Sequence, residues 1–353
     1  MFAIRRLPNF QKLLKLHNGQ GVAVKGRAFK PWYFLDVIER GAKKEPFSVA
    51  CADGWVLAGE LVVDAPPVAV AVVGHAMMVD RRTLDRPRGR GLASTLAAAG
   101  VACVVADLRG HGKSVPRAAD GGDWSYDDLV EHDVATLAAF ARARFPSLPL
   151  ACVGHSLFGH VALAHLSRHP DADVDALVLL AVNAPSPSWD AALRSPSNAL
   201  RSPSRTLQAL RRRAGIELMG LATRAFGYLP ARRLRYGTDD ESAGYVRDFL
   251  RNGRTHRWRA RDGFDYFDGL ARIDRPLLAI TGAGDRYMSP PDDARAIAAR
   301  VPAAQFRVVG RHSGLAFDPD HMGLVLDERA RPVWNQAADF IRSSRRRPYR
   351  PTR

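Results

Sequence analysis

One serine stands where backbone geometry can make a hydroxyl reactive. Residues 150–160 read LACVGHSLFGH, an apolar run that stops at Gly154 with Ser156 two residues later. The segment beyond it, VALAHLSRH, is apolar on one helical face. A strand that passes through a tight turn into a helix lifts the turn serine clear of the backbone, where it can attack a carbonyl. The usual pattern for that turn is G-x-S-x-G; here Phe158 closes it, and a glycine stands one residue later, at 159. Serine alone is a weak nucleophile and needs a base, which in turn needs an orienting acid. Asp285 follows the apolar run LLAITG after Ala283 and Gly284, which places a carboxylate at a strand end. Two histidines compete for the base in VVGRHSGLAFDPDHMGLVL: His312, just past an apolar run, and His321, at the start of an apolar stretch behind Asp318 and Pro319. Reach leaves both open. The order Ser…Asp…His suits acyl transfer through a covalent intermediate.

These groups are far apart in the chain, so a scaffold must gather them. Short apolar runs recur at 68–74, 101–107, 150–154, 176–182, 277–282 and 306–310, with helical patterns such as 91–100 and 127–145 between them. Continuous apolar strands alternating with helices specify an α/β fold, a mostly parallel sheet covered by helices on both faces. Ligands of such sheets bind at the carboxyl ends of the strands. Residues 47–63 read as an opening hairpin around Asp53 and Gly54. The alternation breaks near 184 in a Pro- and Ser-rich stretch, an Arg-rich helical pattern follows at 206–229, and strands resume only near 275. The expected organisation is a basic N-terminal extension (1–46), a first core segment (47–185), an inserted, mainly helical cap (186–265), a second core segment (266–342) and a disordered Arg-rich tail (343–353).

The chain has 353 residues, 46% hydrophobic and 25% charged, enough for a large core. No run approaches the ~18 apolar residues of a membrane span, and the basic N-terminus lacks the apolar stretch of a secretory signal. A cytoplasmic location is expected, with peripheral contact at a membrane as the alternative. Cys51, Cys103 and Cys152 read as buried free thiols of a reducing compartment. No Cys/His spacing suggests a metal, and no GxGxxG follows a strand, so neither a metal nor a nucleotide cofactor is expected. The net charge of +16 is local: residues 1–46 carry +7, 194–261 carry +11 and 342–353 carry +6, leaving the rest at −8.

The motifs together resemble an α/β-hydrolase of the capped serine esterase, lipase and peptidase-like branch, over roughly residues 47–342. ADGWVLAGEL resembles the opening hairpin, VVGHAMM the turn after the third strand, DLRGHGKS the loop after the fourth, GHSLFG the nucleophile turn and TGAGDRYMSPP the acid loop. GLAFDPDHMGLVLDERARPVWNQAADFI resembles the terminal histidine segment with its last helix, which favours His321 over His312. The resemblance implies that Ser156 attacks, His321 shuttles the proton and Asp285 orients the imidazole, with the backbone N–H groups of Leu157 and Met77 as the oxyanion hole. His75, His111 and His155 take positions that are normally structural. Two departures stand out. Ala76 replaces the glycine of the family's His-Gly turn, and alanine resists positive φ. Phe158 places a ring where the helix should approach the sheet, so it either lies along the sheet face or lines the acyl pocket.

The expected function is cleavage of a carboxylic ester or related acyl bond in a small-molecule or lipid substrate. A peptidase or acyltransferase would use the same three residues, and a non-catalytic hydrolase-fold protein would bind membrane or nucleic acid through its basic ends. The cationic, partly apolar cap suits contact with an anionic surface or an anionic ester. No protein partner is defined.

Overall fold

The computed structural model describes residues 42–185 and 203–346. The extension as far as residue 41, residues 186–202 of the insert and the tail from 347 lie outside the described residues. Eight strands form one sheet: β1 Lys43–Ala50, β2 Val56–Val63, β3 Ala69–Gly74, β4 Val101–Ala106, β5 Leu150–His155, β6 Ala176–Leu180, β7 Leu277–Gly282 and β8 Ala304–Val309. Their order across the sheet is β1-β2-β4-β3-β5-β6-β7-β8. β1 and β2 are antiparallel to their neighbours, and every pair from β4 to β8 is parallel. The helices of seven or more residues are α1 Leu92–Ala98, α2 Val134–Arg144, α3 Leu157–Arg168, α4 Pro203–Phe226, α5 Ala243–Thr255, α6 Pro291–Ala298 and α7 Arg331–Ser343.

The apolar runs have no polar alternation because both faces of the sheet are covered. Val70, Val72, Cys152, Leu177 and Leu179 point into one core with α2 and α3. Their neighbours Ala71, Val73, Val153, Val178 and Leu180 point into the other with α1 and α7. The chain leaves β3 for β4 on one side and returns to β5 on the other, so the sheet order reverses at β3. The carboxyl ends of β3 and β5 therefore flank the crevice where such sheets bind ligands.

The first strand starts at Lys43, ahead of the boundary expected at 47. Its eight residues pair in unbroken register, from Lys43 opposite Val63 to Ala50 opposite Val56. Ladder bonds use only backbone, so the charged start of an edge strand can join the sheet and discourage further strand addition. Two of those charges are paired: Lys44 with Asp85 at 2.5 Å and Glu45 with Arg144 at 2.9 Å.

Between β6 and β7 the described insert consists of α4, a two-residue ribbon pairing Tyr228–Leu229 with Glu241–Ser242, and α5. The side chain of Ser242 caps α5, accepting from the N–H of Tyr245 at 3.0 Å, and its hydroxyl donates to the carbonyl of Trp124, which ties the insert to the core.

Candidate active site

The turn after β5 is tight because two glycines meet there. A Cβ on Gly154 would stand 2.1 Å from the nitrogen and 2.2 Å from the Cα of Gly159, so α3 rests directly on its own strand. Ser156 takes φ 49° and ψ −108°, outside the ordinary wells of an L-residue. Bonds on both sides hold it: its N–H donates to the carbonyl of Leu180 and its carbonyl accepts from the N–H of His160, each at 2.9 Å. Phe158 occupies the first of its two expected places. Its ring is fully buried and lies over Gly74 at the end of β3, where an added Cβ would come within 2.0 Å of the ring. The glycine missing from the turn is offset by one on the neighbouring strand.

Asp285 and His321 come together. Asp285 is 2% exposed, and its Oδ2 accepts from Nδ1 of His321 at 2.8 Å. Its Oδ1 accepts from the N–H groups of Met288 (3.1 Å) and Ser289 (3.0 Å). Burial pushes this carboxyl up, but the His321 hydrogen bond and charge with the two backbone donors outweigh it, and the pKa falls below the ordinary value. The two loops are joined directly, with the N–H of Gly284 donating to the carbonyl of Pro319 at 3.0 Å. The carbonyl of His321 accepts from Nε2 of His155 at 2.9 Å. Burial, then the nearby His321, drives the pKa of His155 down to about 3, so this donor is neutral. His312 stands apart, exposed, with Nε2 against the carbonyl of Val308 on its own strand at 3.1 Å. The Ser156 hydroxyl makes no hydrogen bond to His321; such contacts are commonly long before substrate binds.

Ser156, Leu157 and Met77 open on a cavity of about 130 Å³, closed from the insert by Ile216, Tyr245 and Phe249. Two neighbouring backbone donors are occupied: the N–H of Phe158 by the carbonyl of His75 at 3.1 Å, and that of Met78 by Oε1 of Glu241 at 2.7 Å. The N–H groups of Leu157 and Met77 make no hydrogen bond among the described residues. Ala76 avoids positive φ because Met78 takes it instead, at 60°. The carbonyl of Met78 accepts from the N–H groups of Thr238 (2.8 Å) and Asp239 (3.0 Å), so the insert fixes this turn from both sides.

His75 and His111 brace the turns. Nε2 of His75 accepts from the N–H of Leu108 at 3.0 Å, which puts its proton on Nδ1, 2.8 Å from the carbonyl of Ala76. Burial, with the charge of His111, lowers its pKa to about 4. His111 faces two acceptors, the carbonyl of Arg109 at 2.9 Å and Oε1 of Glu241 at 3.1 Å, so both of its nitrogens are protonated. Burial opposes that charge, but Glu241 overcomes it and raises the pKa to about 9. Glu241 was not singled out from the sequence; it is one of three consecutive acids in an Arg-rich stretch, with no period to give it away. His160, Tyr126 and Asn252, which also line the cavity, were missed as well. The position of His160, one helical turn past Ser156, was the available signal.

A doubly covered parallel sheet with a strained serine at the end of β5 defines the α/β-hydrolase superfamily. The chain belongs to the family described as serine aminopeptidase, S33, whose model matches residues 87–312. Met77 and His321 lie outside that match. A monoacylglycerol lipase of Mycolicibacterium smegmatis is 33% identical over 123 residues, which is 34% of this chain and 41% of that protein. Among solved structures, an esterase from Pyrococcus furiosus superposes with a TM-score of 0.53 at 15% identity, over 85% of this chain and 90% of its own. An esterase from Exiguobacterium antarcticum gives 0.52 at 17% identity, over 84% and 99%. At these identities the structures share the fold. No helix among the described residues is long and apolar enough to cross a membrane.

Proposed function

We propose that the protein hydrolyses a carboxylic ester through an acyl-enzyme on Ser156. The observation that carries this reading is the 2.8 Å bond between Asp285 and Nδ1 of His321, beside a strained serine on an apolar cavity. Held through Nδ1, His321 presents Nε2 as the base. It takes the Ser156 proton as Oγ attacks the ester carbonyl. The oxyanion is received by the N–H groups of Leu157 and Met77, each worth on the order of 3 kcal/mol in such sites. Collapse expels the alcohol with the proton from His321, and water then releases the acid by the same route. The β6–β7 insert acts as the cap that closes the cavity.

The family's description raises a peptide substrate with a free amino terminus. Such a group is cationic and calls for a carboxylate. Among the described lining residues there is no Asp or Glu, and the charge of Arg212 is met by Asp293 at 2.8 Å. This favours a neutral ester, in a small molecule or a lipid. Contact with an anionic lipid surface has its own support. Leu207, Leu210, Leu218 and Leu221 make a row along α4, each at least 50% exposed, beside Arg211, Arg213 and Arg224. An apolar stripe flanked by cations lies well at a membrane interface.

Stopped-flow hydrolysis of p-nitrophenyl butyrate tests the chemistry. A burst of nitrophenol equal to the enzyme, with a butyryl group mapped to Ser156, is the expected result; turnover that survives in Ser156→Ala contradicts it. Sedimentation with vesicles of anionic and of neutral lipid tests the surface, and binding indifferent to lipid charge contradicts that part.

A further inference from the structure

One polar residue of the cavity wall stands on the same helix as the nucleophile turn. His160 lies one turn into α3, about 6 Å along the helix from the nucleophile, and lines the same cavity. Its ring stacks on Trp258, with centroids 4.3 Å apart and planes within 19°. Its Nδ1 is 2.9 Å from the hydroxyl of Tyr126. That hydroxyl also accepts from Nε1 of Trp258 at 3.1 Å, and an indole can only donate. Tyr126 therefore has its own proton to give. The nearer acceptor is Nδ1 of His160 at 2.9 Å; the His160 carbonyl is at 3.3 Å and is already part of the helix. Nδ1 is thus an acceptor, and the ring carries its proton on Nε2. Removal from water lowers the pKa of His160 to about 3, so the ring is a neutral imidazole.

Nε2 makes no hydrogen bond among the described residues, and the half-buried residue lines the cavity. The hydroxyl of Tyr245, a residue only 3% exposed on the same wall, also has no partner among the described residues. Each is a donor open to an acceptor that enters the cavity. The cage of Trp258 and Tyr126 prevents the ring from turning away to find one.

We propose that His160 is a specificity residue, whose Nε2–H donates to an acceptor oxygen on the acyl chain, so that the site selects esters of oxo- or hydroxy-acids over plain alkanoates. The inference rests on the ester reading for its substrate class. The recognition itself is a binding event and needs no turnover. The donor lies about one helical turn from the nucleophile, so it reaches an oxygen a few bonds from the scissile carbonyl and not the carbonyl itself. Tyr126 is a positioning residue that acts through His160 by fixing the tautomer.

The test compares methyl 4-oxopentanoate with methyl pentanoate, titrated into Ser156→Ala, where no turnover intervenes. The oxo ester is expected to bind about tenfold more tightly, the ordinary worth of one such bond. Adding His160→Phe should abolish the preference, and adding His160→Gln, which keeps an N–H donor, should restore part of it. Nitrogen NMR of the imidazole should show the proton on Nε2 and should lose that single tautomer in Tyr126→Phe. Equal affinity for the two esters in Ser156→Ala overturns the proposal, as does a preference that survives His160→Phe. Failure of the catalytic reading would show separately, as an unreactive Ser156 in the unsubstituted protein.

Discussion

Restoring the customary glycine of the nucleophile turn, Phe158→Gly, is expected to damage the protein. The Phe158 ring is fully buried over Gly74, in space that any side chain at 74 would fill. Emptying such a site costs about 3–5 kcal/mol. Glycine in a helical turn adds up to ~1 kcal/mol. The sum, about 3–6 kcal/mol, is a large part of the 5–15 kcal/mol that typically holds a domain folded. Gly74→Ala meets the same ring from the other side, with its Cβ 2.0 Å from the Phe158 Cγ, and overpacking of this kind costs about 1–3 kcal/mol. The two positions share one space, so Gly74→Ala with Phe158→Ala should cost at least about 1 kcal/mol less than the sum of the single changes. Urea unfolding followed by tryptophan fluorescence and far-ultraviolet circular dichroism measures the parent and all four variants. Phe158→Gly within 1 kcal/mol of the parent, or strict additivity in the cycle, refutes the packing argument. The ring is not part of the cavity lining, so folded Phe158→Ala at low temperature should keep most of its reactivity at Ser156.

Asp285→Asn should lower kcat by on the order of 10³–10⁴ with little change in KM, because an amide no longer selects the Nδ1–H tautomer; steady-state ester hydrolysis checks it, and a loss under tenfold is the opposing result. Gly154→Ala should prevent formation of the turn, since its Cβ would stand 2.1 Å from the Gly159 nitrogen; loss of soluble, reactive protein is expected, and a stable, reactive variant contradicts it. The His111–Glu241 pair gives stability a pH signature. The folded pKa of His111 is raised to about 9 from an ordinary value of about 6.5. The contribution, on the order of 3 kcal/mol, is fully present below pH ~6.5 and is lost as pH rises through 9. Thermal unfolding of Glu241→Gln should therefore fall well below the parent at pH 6 and approach it at pH 10; an equal gap at both pH values speaks against the pair.

The central strands β3 to β7 were legible because each is apolar on both faces, which leaves short unbroken runs that no amphipathic helix imitates. β1 was legible only from Phe47 on: its first residues, KKEP, are charged or proline, and their pairing depends on a backbone ladder that composition does not report. The places of Ser156 and Asp285 just past strand ends were legible from the glycines beside them. Spacing could not separate His312 from His321, because both follow β8 within reach. What separates them is the bond from Gly284 to the Pro319 carbonyl, which ties the loop of His321 to that of Asp285 while His312 turns back on its own strand. The place of Phe158 could not be read near 158, since the space is made by Gly74 on another strand. Glu241 and His160 stayed hidden because their partners, Met78 and His111 for one and Tyr126 and Trp258 for the other, come from distant segments.

The central claim is that Ser156 is made nucleophilic by His321, itself held by Asp285. A fluorophosphonate reacts only with a serine so activated, and the site of its adduct is read by peptide mass. The account predicts one adduct, on Ser156, formed rapidly in the parent and in His312→Ala and slowed by at least about a thousandfold in His321→Ala. A folded parent that takes no label, or labelling that survives His321→Ala and fails in His312→Ala, contradicts it.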